Sequence, residues 1–159
     1  MIVKTTRTQI DQFLALKRIA IVGVSRNPKD FTRALYAEFQ KRGYDVVPVN
    51  PNVDNIDGTR CFASVRDIQP AVEGVLIMTS PQQTDQIIRD SAAAGIKRVW
   101  LHRGEGIGAV SPKALALCSE YHLDVVAGFC PFMFMPDSAF FHRAHGFIKK
   151  ITGSYPVEA

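Results

Sequence analysis

The chain has 159 residues, with 19 Lys and Arg against 15 Asp and Glu and a formal net charge of +4 at pH 7. This length suits one domain over residues 1–159, and so small and scattered a positive excess disfavours a nucleic-acid partner. The 3 cysteines are odd in number and have no CxxC spacing, which disfavours a disulfide scaffold and favours a reduced, cytoplasmic protein. No signal-peptide core and no apolar run of membrane-spanning length is found, so no membrane association is expected.

The first third of the chain alternates helical and strand patterns. A short helix is predicted over about 8–16, with Thr8 as its N-cap, and a strand buried on both faces over 18–24. A helix over 29–42 has aromatic and aliphatic residues on one face and ends before a glycine. The stretch YDVVPV at 44–49 predicts a second strand, which the turn-rich NPNVDNIDG follows.

The middle of the chain predicts a helical turn at VRDI, 65–68, and a buried strand at GVLIM, 74–78. The SPQQ that follows is typical of a helix start. Ser80 is expected at the N-cap, Pro81 at the first helical position, and Gln83 where it completes a capping box.

The last third continues the alternation. KRVWL at 97–101 and LDVVA at 123–127 predict two more strands. Between them lies the glycine-rich RGEGIGAVSP, whose final Ser111 and Pro112 are expected to start a helix. A last helix is predicted over about 137–151.

Short apolar strands alternating with helices predict an α/β protein with a three-layer, Rossmann-like fold. We expect a five-stranded, mainly parallel sheet in the order 3-2-1-4-5. Ligands in such sheets bind at the carboxyl ends of the strands, near the point where the strand order reverses. The places to look are therefore 23–28, 50–52, 79–81 and 101–108.

The turn after the first strand has the layout of a nucleotide-binding turn with one glycine, Gly23. Ser25 and Pro28 stand where the fingerprint has its second and third glycines. A helix starting near Pro28 or Lys29 would offer free amides to a phosphate. Basic residues follow on the same side: Arg26, Lys29 and Arg33. The alternative is a structural turn with solvated charges.

The end of the second strand tests the nucleotide. An NAD site normally has Asp or Glu there, to accept from the ribose 2′-hydroxyl, and this chain has Asn50. The first carboxylate, Asp54, comes only within the following turn. NAD is therefore disfavoured, whereas NADP remains open and coenzyme A, which carries a 3′-phosphate, would suit the positive turn.

The stretches IAIVGVSRNP, RGYDVVPVNPN, GVLIMTSP, AGIKRVWLHRG and GFCP together resemble the stand-alone CoA-binding domain proteins. That fold is similar to the CoA-binding domain of the succinyl-CoA synthetase α-subunit, and the resemblance covers about 17–131. It implies that the adenosine-phosphate end of CoA lies over the first turn and over the loops after strands two and three. The residues carried over are Gly23, Ser25, Arg26, Asn27, Pro28, Asn50, Pro51, Thr79, Ser80 and Pro81.

The resemblance implies binding of CoA and says little about catalysis. Our first hypothesis is non-catalytic binding of CoA or a short acyl-CoA, which the protein would sense, sequester or present, with a homodimer left open. The rivals are an NADP-linked oxidoreductase, an acyl-CoA-transforming enzyme and a regulatory nucleotide-binding subunit. Two departures are noted. KDFTRAL lacks the small residue often found at the helix start, and no His matches the synthetase's phosphorylated loop. No nucleophile–base pair is visible, and Glu105 and Asp67 are the acids expected near the cleft.

A cysteine with two histidines, and a glycine-rich loop, could each be either a ligand site or a structural feature. Cys130, His142 and His145 could hold zinc, but no fourth ligand is evident, so a metal is not expected and packing or surface roles are favoured. Cys130 is expected to be buried rather than to face the pantetheine arm. The RGEGIGAVSP loop is either a second anion site or a flexible loop.

Overall fold

The computed structural model describes residues 4–104, 108–137 and Pro156. Its helices and strands follow the predicted alternation. The helices are α1 (Arg7–Leu14), α2 (Phe31–Lys41), α3 (Pro81–Ala93) and α4 (Pro112–Glu120). The strands are β1 (Arg18–Val22), β2 (Asp45–Val49), β3 (Asn55–Ile56), β4 (Thr59–Arg60), β5 (Gly74–Ile77), β6 (Arg98–His102) and β7 (Asp124–Phe129). Single 3-10 turns occupy Val65–Asp67, as predicted for VRDI, and Pro131–Met133.

The α/β, Rossmann-like fold is confirmed. β2, β1, β5, β6 and β7 form a five-stranded sheet in that order, and every neighbouring pair is parallel. β3 and β4 form a separate antiparallel hairpin after β2. The parallel arrangement brings the carboxyl ends of β1, β2 and β5 together at one edge of the sheet.

The order differs from the predicted 3-2-1-4-5 at one strand. Counted among the five sheet strands, the third one, β5, pairs with β1 and not with the outer edge of β2. Pro48 in β2 explains this, because proline has no N–H and is disfavoured between two strands. Its carbonyl accepts a 3.0 Å hydrogen bond from the Phe62 N–H on the side away from β1. The returning chain therefore closes that edge with a single bridge between Val49 and Phe62.

Two helices cover each face of the sheet, which gives the predicted three layers. α1 and α2 pack against one face of the sheet and form one apolar core with it. In this core the Phe13 and Trp100 rings lie edge to face, with their centroids 5.4 Å apart. α3 and α4 pack the other, which includes the fully buried Ile88 and Cys118. Among the described residues, no helix has the length and apolarity needed to cross a membrane.

The predicted caps of α1 and α3 need correction. α1 begins at Arg7 with Thr6 as its N-cap, not Thr8, because Thr6 and Gln9 form a capping box. Ser80 and Pro81 do stand at the N-cap and first positions of α3, but the Ser80 side chain makes no cap hydrogen bond. The expected Ser80–Gln83 capping box is therefore absent. Ser111 caps α4 as predicted, accepting from the Ala114 N–H at 3.0 Å.

Candidate functional site

A cleft of about 510 Å³ opens at the carboxyl ends of β1, β2 and β5. Its floor is made by the last residues of these strands, and one wall is made by the loop after β2. The opposite wall is made by the start of α3 and by the segment that precedes the first 3-10 turn. The lining residues are Val22, Gly23, Val49, Asn50, Pro51, Asn52, Ala63, Ser64, Val65, Met78, Thr79, Ser80, Gln83, Gln86, Ile87 and Asp90.

Gly23 shapes the floor of this cleft. Its φ of 100° lies in the region that L side chains rarely adopt, and its N–H donates to the Val49 carbonyl at 2.9 Å. A Cβ at this position would lie 3.0 Å from the Met78 carbonyl oxygen. Glycine therefore allows the ends of β1 and β5 to approach each other under the cleft.

Asn50 joins the two loops that frame the cleft. Its Nδ2 donates to the Val24 carbonyl at 2.9 Å, and its Oδ1 accepts from the Asn52 N–H at 2.9 Å. Beneath it, the Cys61 thiol lies 3.8 Å from the Asn50 carbonyl oxygen, and burial raises the pKa of that thiol. The residue at the usual place of a ribose-binding acid is thus an amide that braces the backbone.

Two arginines of the first turn serve different purposes. Arg26 is exposed, and its Nη2 donates to the Asn52 carbonyl at 3.0 Å, which places its guanidinium at the rim of the cleft. Arg33 is 9% exposed and bonds to backbone carbonyls and to Asp57. Of the basic residues expected to face a ligand, Arg33 is therefore used inside the protein.

The start of α2 is not the open phosphate site that the sequence suggested. The helix begins at Phe31, not at Pro28 or Lys29, and Asp30 is its N-cap. The Asp30 carboxylate accepts from the Thr32 N–H at 2.8 Å and from the Thr32 hydroxyl at 2.7 Å. A carboxylate thus already takes a first-turn amide of α2.

The far wall holds polar residues that the sequence analysis missed. Gln83, Gln86 and Asp90 lie three and four residues apart along α3, on the face that borders the cleft. Ser64 completes this wall, with its hydroxyl 3.4 Å from Asp90 Oδ2. The helical spacing downstream of Ser80 was the signal that could have located them.

Five of the ten predicted site residues line the cleft: Gly23, Asn50, Pro51, Thr79 and Ser80. The others stand beside it. Ser25, Arg26, Asn27 and Pro28 form the loop after β1, and Pro81 is the first residue of α3. Within that loop the Asn27 N–H donates to the Ser25 hydroxyl at 3.1 Å, and the Lys29 N–H donates to Asn27 Oδ1 at 3.0 Å.

The remaining residues that the sequence analysis singled out lie outside the lining of the cleft or outside the described residues. Cys130 is 1% exposed, which confirms its predicted burial. Asp67 ends the first 3-10 turn outside the lining, and Asp90 is the carboxylate that the cleft contains. Glu105 lies in 105–107, which the structure does not describe. His142, His145 and all but the first residue of the helix predicted over about 137–151 also lie outside the described residues.

Comparison with known proteins adds the family. A model described as the CoA binding domain matches residues 17–136. The Bacillus subtilis protein YneT is 25% identical over 114 residues, which cover 72% of this chain and 82% of YneT. The alpha subunit of ADP-forming acetate–CoA ligase II from Pyrococcus furiosus is 25% identical over 91 residues, which cover 57% of this chain and 20% of that subunit.

A solved structure shows that the similarity extends to the fold. A Pyrococcus horikoshii protein superposes with a TM-score of 0.72 at 28% identity, over 82% of this chain and 94% of that one. Similarity in sequence and in fold therefore covers most of this chain, including all three loops that frame the cleft.

Proposed function

Because the chain belongs to the CoA binding domain family, we propose that it binds coenzyme A, or a short acyl-CoA, in the cleft at the ends of β1, β2 and β5. The ligand is bound and presented rather than transformed. The NADP alternative gains no support from the family match.

The observation that carries this proposal is the pairing of a ligand-sized cleft with a cationic rim. The volume of about 510 Å³ lies within the usual range for small-molecule sites. Arg26 stands at the rim through its bond to Asn52, and the exposed Lys29 follows it in the same loop. An arginine fork and an ammonium are the groups that proteins use to hold phosphates.

Binding also agrees with the chemistry of the lining. Thr79, Ser80 and Ser64 supply hydroxyls, and Gln83 and Gln86 supply amides. These groups fix the orientation of a bound molecule by hydrogen bonds. The acetate–CoA ligase subunit matches this chain over only 20% of its own length, so its activity belongs to that larger protein.

We further propose that the protein acts in the cytoplasm, as its cysteines without disulfide spacing suggest, and that the whole of residues 1–159 forms one binding domain. We also propose that two copies of the chain form a homodimer. None of these proposals depends on ligand binding. Cell fractionation tests the location, limited proteolysis tests the single domain, and analytical ultracentrifugation tests the homodimer.

The decisive experiment is native mass spectrometry of the purified protein, followed by calorimetric titration with CoA, acetyl-CoA, NADP and NAD. Co-purified CoA or acyl-CoA, or a CoA affinity well above that for NADP, supports the proposal. Equal affinity for CoA and NADP would reject it. Slow turnover of acetyl-CoA during the titration would reject the non-catalytic part alone.

A further inference from the structure

Arg33 is buried in α2 and bonds to two different loops. Its Nη1 donates to the carbonyl oxygens of Ser25 and Arg26, each at 3.2 Å. Its Nη2 pairs with Asp57 Oδ2 at 2.5 Å. One guanidinium therefore holds both the turn after β1 and the tip of the β3–β4 hairpin.

Asp57 is fixed where it can receive this bond. It is the first of two residues, Asp57 and Gly58, that connect β3 to β4, and both have positive φ, 48° and 83°. This is the two-residue turn that favours Asp or Asn followed by Gly. The Gly58 N–H donates to Asn55 Oδ1 at 2.8 Å, and Ile56, 2% exposed, anchors the hairpin in the core.

The turn held by Arg33 is the one that presents Arg26 to the cleft. Arg26 offers its backbone carbonyl to Arg33 and its side chain to the Asn52 carbonyl. If the carbonyls of Ser25 and Arg26 were released, the guanidinium of Arg26 would lose its fixed place at the rim.

We propose that Arg33 and Asp57 are positioning residues, which hold the first turn in its ligand-binding shape by tying it to the β3–β4 hairpin. The expected effect on CoA affinity rests on the proposed function. The bonds of Arg33 to the first turn and to Asp57 are present in the free protein and do not depend on that function. The two terminal nitrogens of arginine divide the task, with Nη1 bonding to the two carbonyls and Nη2 to the carboxylate, whereas lysine would have to make all three bonds from a single nitrogen.

The test uses two variants, one that neutralises the carboxylate and one that keeps the positive charge but removes the guanidinium. Asp57→Asn removes the charge and keeps a residue that tolerates positive φ, so the turn is preserved. It is expected to weaken CoA binding about three- to fivefold, the upper part of the range for an exposed ion pair, because Arg33 itself is buried. Arg33→Lys is expected to weaken CoA roughly tenfold, since it loses charge-assisted bonds to the turn.

Asp45→Asn is the matched control. Asp45 forms an ion pair of the same length, 2.5 Å, with Arg18, and its side chain is similarly exposed, at 62% against 70% for Asp57. It lies at the amino end of β2, opposite the cleft. CoA affinity and hydrogen exchange of the first turn are expected to be unchanged in this variant.

A double-mutant cycle separates positioning from a general loss of stability. If Asp57 acts through the turn that carries Arg26, the variant with both Arg26→Ala and Asp57→Asn binds CoA as Arg26→Ala does, within about twofold. Fully additive losses would overturn the inference. So would an Asp57→Asn variant with the affinity of the wild type.

Hydrogen exchange of the free protein gives a readout that needs no ligand. Deuterium uptake over residues 24–30 is expected to be faster in Asp57→Asn than in the wild type or Asp45→Asn. Unchanged uptake overturns the inference whatever the titrations give. If the wild type binds no CoA, the proposed function fails, and this comparison still decides whether the tie exists.

Discussion

The side-chain amide of Asn50 donates a 2.9 Å hydrogen bond from Nδ2 to the carbonyl oxygen of Val24. The same amide accepts from the Asn52 N–H through Oδ1. A carboxylate could replace the acceptor but not the donor. The position therefore requires an amide to join the loops after β1 and β2, and this joint forms one end of the cleft.

Replacing Asn50 by Asp is expected to destabilise the protein without creating an NAD site. The carboxylate would face the Val24 carbonyl, and that acceptor would lose its donor, at a cost of about 1–3 kcal/mol. Urea denaturation measures the loss. Asn52→Asp is the control, because it adds the same charge in the same loop. An Asn50→Asp variant as stable as the wild type would show that the hydrogen bonds of Asn50 to Val24 and Asn52 do not stabilise the fold.

Coenzyme A is expected to stabilise the protein, and NAD is not. A ligand at 100 times its Kd adds about 2.7 kcal/mol. For a domain of this size, that corresponds to a rise in Tm of roughly 5–10 °C. Thermal unfolding with matched concentrations of CoA, dephospho-CoA, NADP and NAD measures it. Equal shifts with CoA and NAD would remove the CoA assignment.

Arg26→Ala is expected to weaken CoA by roughly ten- to a hundredfold, the cost of one or two charge-assisted hydrogen bonds. Dephospho-CoA should lose less, because it lacks the 3′-phosphate that we assign to Arg26. Lys97→Ala removes the same charge just before β6, at the opposite edge of the sheet, and serves as the control. Equal losses for the two ligands would mean that Arg26 does not contact that phosphate.

Much of the fold could be predicted because the interiors of its sheet strands are apolar. Strands of a parallel sheet are buried on both faces, so β1, β5 and β6 appear as short runs without polar alternation. The order of the strands could not be obtained from periodicity, because apolar runs do not identify their neighbours. Pro48 held that information, since its missing N–H marks β2 as an edge.

The lining of the cleft could be predicted where it follows strand ends and was missed where it lies on a helix face. Gly23, Asn50 and Thr79 follow strands directly, and a parallel sheet places such residues together. Asp90 lies ten residues beyond Ser80, and only its position on α3 returns it to the cleft. The sequence groups Arg33 with the ligand-facing cations, because it does not show that Asp57 lies within reach of Arg33.

Ser25→Leu is expected to abolish CoA binding while the fold is kept. Ser25 is half-buried, and its backbone bonds to Thr32 and Arg33 do not need the hydroxyl. Loss of the hydroxyl bond to Asn27 costs about 1 kcal/mol. Ser25→Ala loses the same bond without added bulk and is expected to retain binding. Near-normal CoA affinity in the leucine variant would show that the nucleotide does not cross this turn.

Cys118 is expected to make the stability of the protein fall at alkaline pH. It is fully buried in α4, and burial raises the pKa of its thiol to about 12. Burial also raises the pKa of Tyr36 and Tyr44. For a group with a raised pKa, the stabilisation is complete below the unfolded-state value and is lost as the pH rises towards the folded-state value.

For Cys118 this window runs from the thiol's ordinary pKa of 9.0 to about 12. Within it, one thiol lowers the free energy of unfolding by about 1.4 kcal/mol per pH unit, because the unfolded chain ionises and the native one does not. Urea denaturation between pH 8 and 11 measures the slope. Cys118→Ala is expected to be less stable than the wild type at pH 8, because it leaves a small cavity, but to lose less stability on going to pH 11. Parallel curves for the two proteins would show that the thiol ionises equally in the folded and unfolded states, so that its burial does not govern the alkaline response.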